Sequence, residues 1–128
     1  MIAIRRKKVD TSRQGDVHDL TKVAGRIVAG SWCWSGLATV SIVGSTAALT
    51  TIEYEPGAVA DFNGLFETLA PPDVHYAHHE RWSDDYGSSH VRAALVGPSL
   101  SLPFEDGQLM LGTWQEIIRF DCDTRLRQ

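Results

Sequence analysis

Apolar and polar positions change rhythm several times along the 128 residues of this chain. The alternating start "IAIRRKKVD", the turn-like "TSRQG" and the following "DVHDL" predict a β-hairpin ahead of a helix. In that helix Leu20, Val23, Ala24, Ile27 and Val28 recur at three- and four-residue spacing and line one face. Asp19 or Thr21 can cap it, and Gly30 or Gly36 ends it. "LATVSIV" alternates and is rich in β-branched residues, so it predicts a strand; "TAALTTIEYE" predicts the next, stopped at Pro56 and Gly57. A second helix fits "AVADFNGLFETLA", with Val59, Phe62, Leu65, Phe66 and Leu69 on one face and a Pro-Pro stop. A long histidine-rich loop follows. From His90 onward the pattern is nearly all strand: "HVRAALVG", "SLSLPF", "QLMLG" and "WQEIIRFDCD". Asp106-Gly107, between alternating runs, is the strongest hairpin signal in the chain.

Strands with two separated helices place the chain in the α+β class, as one domain over residues 1–128 in which antiparallel sheet dominates. A strand-rich molecule of this size has to hide its sheet edges, and a symmetric oligomer is one way to do so. At 43% hydrophobic and 22% charged residues the composition is that of a globular protein. No apolar run approaches the roughly 20 residues that span a bilayer. The N-terminus lacks the pattern of a signal peptide, so a soluble, cytoplasmic protein is expected. A net charge of -4 argues against general affinity for nucleic acid, and the basic run Arg5 to Lys8 reads as the solvent side of a strand. Cys33 and Cys122 are too few for a disulfide framework and are expected as reduced, partly buried thiols.

The candidate chemistry centres on "HYAHHERWSDDYGSSH", which holds four of the five histidines. A loop without regular period cannot turn His75, His78 and His79 the same way, but one or two of them can converge with His90. Asp84 and Asp85 add hard oxygen ligands. Three imidazoles, or two with a carboxylate, and a position left for water would make a catalytic site for zinc or another divalent ion. The plain alternative is a solvated loop rich in imidazole. Within the cluster His78 and His90 are the candidate ligands, with His75 and His79 as surface residues. Upstream, Gly44, Ser45 and Thr46 form a small turn able to offer N–H groups and hydroxyls to a phosphate or carboxylate, without the lysine of a P-loop. Glu53 and Glu55 share one face of an extended segment, either as a charged strand end or with one acting as cation ligand or general base. Gly112 ahead of Trp114 and Gln115 lets an indole and an amide approach a groove or a subunit contact; the alternative is a core indole and a satisfied buried amide. A nucleophile elbow, a Cys-His triad and a dinucleotide fingerprint are all missing.

"HVRAALVGPSLSLPFEDGQLMLGTWQEIIRFDCD", "STAALTTIEYEPG" and "YAHHERWSDDYG" together resemble the YjbQ family, often labelled secondary thiamine-phosphate synthase, over about Val17 to Arg127. The resemblance implies a mainly antiparallel β-sandwich with two helices, assembled as a homotrimer with a site near the subunit boundaries. It also implies a weak transferase activity that joins hydroxymethylpyrimidine diphosphate to a thiazole phosphate and releases pyrophosphate. The alternative is a non-catalytic trimer that binds a metal or a small phosphorylated metabolite. Such a displacement draws on a divalent cation, Zn or Mg, or on cationic side chains to neutralise the departing diphosphate. Arg92, Arg125 and Arg127 are the candidates for phosphate contact, since a guanidinium can clamp two oxygens. Residue by residue, Glu53 matches the family's glutamate after the Thr-Ala segment and Asp61 its helical aspartate. His78 matches the histidine of a Tyr-x-His element, Trp82 follows in register, His90 matches the last histidine of Asn-x-His-x-His, and Trp114 and Gln115 match outright. The expected site therefore uses Glu53, His78 and His90 in catalysis. Ser45, Thr46, Arg92, Gln115 and Arg125 would hold the phosphorylated ligand, and His78, His90 and Asp84 the cation. Gly44 and Ser88 stand where many members carry histidine, and Tyr86 where they carry asparagine, so fewer imidazoles are available here.

Overall fold

The most deeply buried run of the chain, residues 117–123, takes up most of the middle strand of a sheet and continues just past its end. A computed structural model describes residues 2–10, 13–82 and 84–124. In it β6 (Glu116–Asp121) lies antiparallel between β1 (Val17–Asp19) and β3 (Ala47–Ile52), so that Phe120 faces Val17 on one side and Ala48 on the other. Alternation along β6 sends Ile118 and Phe120 to one face and Ile117, Arg119 and Asp121 to the other. Phe120 packs on Phe62 and Phe66 of α2 (Pro56–Leu69), with ring centroids 4.7 and 5.1 Å apart, and Ala48, Ala93 and Cys122 complete that core. A second antiparallel sheet places β4 (Ser99–Glu105) between β2 (Gly36–Ser41) and the short β5 (Gln108–Leu109). Asp106 and Gly107, with φ of 54° and 71°, form the two-residue turn between β4 and β5 that the sequence predicts.

Local capping explains two of the helices. Before α1 (Thr21–Ala29), the Asp19 carboxylate accepts from both the N–H and the hydroxyl of Thr21, at 2.9 and 2.6 Å. The Gly30 N–H closes the last turn on Arg26 O. At the start of α2 the Glu55 carboxylate accepts from the Gly57 and Ala58 N–H groups. Pro56 occupies the first helical position, where a missing N–H costs nothing, so the dipeptide that stops one element also starts the next.

The α+β class is as expected, but four helices are present among the described residues where two were expected. The histidine-rich segment contains α3 (Ala77–Trp82), and "HVRAALVG" lies in α4 (Gly87–Val96), not in a strand. The buried positions of α4 are Gly87, Ser88, Ser89, Arg92 and Ala93, a helical stripe of small residues and one arginine, while Val91 and Leu95 face outward. A stripe with so few large apolar side chains hides its period from a hydrophobicity pattern. Gly97, at φ 108°, and Pro98 then end the helix. Residues 2–10 adopt neither helix nor strand, so only β1 is left of the expected hairpin. Arg5 to Lys8 deny that segment an apolar face to bury, and Ile2 and Ile4 are exposed. Among the described residues no helix is long and apolar enough to cross a membrane.

Candidate functional site

Two helices and a turn bring the principal candidates together. His78 projects from α3 and His90 from the first turn of α4, and their rings meet edge to face with centroids 4.6 Å apart. Gly87 makes this approach possible, because a Cβ there would overlap Cβ and the ring of Tyr76 just before α3. Tyr76 is itself anchored by donating its hydroxyl to Pro71 O at 2.6 Å, and burial raises its phenol pKa, with Arg92 opposing the shift and Asp73 adding to it. Asp84, in the link between the helices, sets Oδ1 3.0 Å from His78 Nδ1 and accepts the Tyr86 N–H with the same oxygen at 3.1 Å. The His78 contact is close but lacks the alignment of a hydrogen bond, and among the described residues this buried ring nitrogen has no hydrogen-bond partner. His90 Nδ1 lies 3.2 Å from the carbonyl oxygen of Ser45, in the turn before β3. His79 Nε2 accepts the Gly87 N–H at 3.4 Å, and His75 pairs with Glu80 in the open.

The other expected site residues are placed elsewhere. Ser45 precedes β3 and Glu53 follows it, so the strand's length, roughly 17 Å at ~3.3 Å per residue, separates Glu53 from His90 within one chain. Gln115 lies at the Glu53 end, where its amide donates to Thr51 Oγ1 (3.2 Å) and its carbonyl accepts from Gly112 N–H (3.0 Å); Trp114 beside it is exposed. Arg92 is not available to a phosphate. It is 0% exposed, with Nε donating to Ala70 O (2.9 Å) and Nη2 to Glu67 (3.2 Å), so it closes the carbonyl end of α2. Ser88, two residues before His90 and roughly 200° round the helix, points inward and accepts from Gln14 Nε2 at 3.1 Å. Thr46 has its hydroxyl committed to Asp123. Arg125 and Arg127 lie outside the described residues.

The donor set does not fit a divalent cation held by one chain. Among the described residues no group of three His, Cys, Asp or Glu side chains is placed to hold a metal ion. Asp84 lies beside the Nδ1 of one ring, and the Ser45 carbonyl takes up the Nδ1 of the other. Reasoning from sequence also missed the charged face of β6. Burial raises the Asp121 carboxyl above its ordinary pKa, opposed by the Asp123 N–H bond and by Arg119. The alternation Arg119, Asp121, Asp123 after Ile117 was the available signal.

Residues 5–128 match the family described as UPF0047 protein YjbQ-like. A UPF0047 protein of Methanothermobacter thermautotrophicus is 32% identical over 113 residues, covering 88% of this chain and 78% of the relative. One of Mycobacterium bovis is 34% identical over 118 residues, covering 90% and 86%. Among solved structures, a YjbQ-like protein of unknown function from Sulfolobus solfataricus superposes with a TM-score of 0.83 at 27% identity, covering 91% of this chain and 86% of that one. An uncharacterised protein of the same family from Clostridium acetobutylicum gives 0.80 at 27% identity, with 94% and 95% covered.

Proposed function

Since the chain belongs to the UPF0047 YjbQ-like family, we propose that the paired imidazoles of His78 and His90 form an acid-base site for a small phosphorylated metabolite. The observation that carries this is the 4.6 Å ring contact, with Asp84 against one Nδ1 and the Ser45 carbonyl against the other. His90 thus has Nδ1 held by a carbonyl and His78 has a carboxylate 3.0 Å from its Nδ1, and in this proposal the Nε2 of each ring meets the ligand. The reaction that the family resemblance indicates is the coupling of hydroxymethylpyrimidine diphosphate to thiazole phosphate. The thiazole nitrogen bonds to the pyrimidine's exocyclic methylene carbon, the C–O bond to the diphosphate breaks, and pyrophosphate leaves with that electron pair. His78, beside Asp84, donates a proton to the departing pyrophosphate; His90 presents Nε2 to a donor on the substrate.

The working form in this proposal is a cytoplasmic homotrimer, and a neighbouring subunit brings Glu53 and Gln115 to the imidazoles. Exposed Trp32, Trp34 and Leu37 supply apolar surface for such contacts. Purified protein incubated with both precursors should form thiamine phosphate slowly, read as thiochrome fluorescence, and His78→Ala and His90→Ala should abolish it. Equal product from wild type and both variants would overturn the proposal. A second function, binding without turnover, is favoured by the sequestered Arg92 and the committed Thr46 hydroxyl, which leave few donors for a diphosphate. It predicts a rise in Tm with phosphorylated metabolites and no product.

A further inference from the structure

A run of hydrogen bonds leads from the end of β6 to the His90 ring. Asp123, just beyond the strand, is 1% exposed, and its Oδ2 accepts from the Thr46 hydroxyl at 3.0 Å. The Cys122 N–H donates to Thr46 O at 2.9 Å, so Thr46 is fastened to β6 by both backbone and side chain. Ser45, one residue earlier, directs its carbonyl at His90 Nδ1. The far side of the run is equally fixed, because the Asp123 N–H donates to Oδ1 of the fully buried Asp121 at 3.0 Å.

The turn has little else to hold it. Val43, Gly44 and Ser45 are all exposed, and its tethers are Ile42 N–H on Pro98 O at one end and Thr46 at the other. A carbonyl oxygen can only accept, so His90 must carry its proton on Nδ1 to make this bond, which leaves the Nε2 lone pair outward. His78 and Tyr86 also meet this ring, with centroids 4.6 and 6.1 Å from it.

We propose that Thr46 and Asp123 are positioning residues, which hold the Ser45 carbonyl where it selects the Nδ1–H tautomer of His90 and turns Nε2 to the ligand. This rests on His90 being a functional base or acceptor, but its test reads the ring directly and needs no substrate. Ring nitrogens of histidine labelled with nitrogen-15 are observed by NMR at a fixed alkaline pH, where the imidazoles are neutral. Wild-type His90 should be in the Nδ1–H form. Thr46→Val and Asp123→Ala should swing it to the Nε2–H form that free imidazole side chains favour, Thr46→Ser should restore it, and exposed His75 should be unmoved throughout. Asp123→Asn keeps the shape with a weaker acceptor and should move His90 part of the way; it decides the matter if the truncations do not fold. A wild-type His90 in the Nε2–H form, or one unmoved by Asp123→Asn and the truncations that fold, overturns the proposal. If the tautomer shifts as expected while no variant or wild type makes product, the coupling reaction fails and the positioning role stands.

Discussion

Asp121 ends β6 and Cys122 follows it, and burial acts on both. The Asp121 carboxyl holds its proton to a higher pH in the folded chain than the ordinary 3.8 of the unfolded one. Between those two values the folded state binds more protons, so this group's contribution to stability is lost as pH rises through the window and is level above it. Asp121→Asn removes that dependence. In urea unfolding across a pH series, the variant should gain on the wild type from about pH 4 upward and then hold a constant difference; a difference independent of pH would show that burial does not govern this group. The Cys122 thiol is pushed up to about 12 by burial, so it should resist an aromatic disulfide reagent at pH 8 in the native protein and react on unfolding. Cys33, half-buried, should be the thiol that labels first.

Among the elements, α3 and α4 decide the site, and their junction is sterically tight. Gly87→Ala forces a methyl group into Tyr76, and overpacking of this kind typically costs ~1–3 kcal/mol. The loss should appear as a lower urea midpoint accompanied by altered ring shifts of His78 and His90. These two helices are also where sequence was least legible. Strands β2, β3, β4 and β6 announce themselves by alternation, and α1 and α2 by apolar residues at helical spacing. The buried stripe of α4 is Gly87, Ser88, Ser89, Arg92 and Ala93, which no hydrophobicity pattern marks as a helix. The pairing of His78 with His90 was legible as a composition cluster, since eleven intervening positions can fold into a helical corner. Glu53 was legible as a residue and not as a place, because its distance from His90 is set by the full length of β3. Arg92 misled for a related reason: a guanidinium suits a phosphate and a helix's terminal carbonyl equally well, and only packing distinguishes the two.

At the scale of the whole molecule, β2 is an edge of the second sheet among the described residues; it carries Leu37, 72% exposed, and Trp32, 93% exposed, lies just before it. For the trimer proposed above, Leu37→Glu should shift the mass measured by light scattering toward the single chain. If the mass stays unchanged, assembly uses another surface. The two histidines also differ in what supports them. α4 is bolted to α2 through the sealed Arg92, whereas no residue of α3 is buried. Warming should therefore release α3 first, with its amides exchanging at temperatures where β6 remains protected. His78 would then wander while His90 stays put, and any chemistry that needs both rings, as proposed above, would go quiet well before the protein melts, recovering on cooling without having to refold.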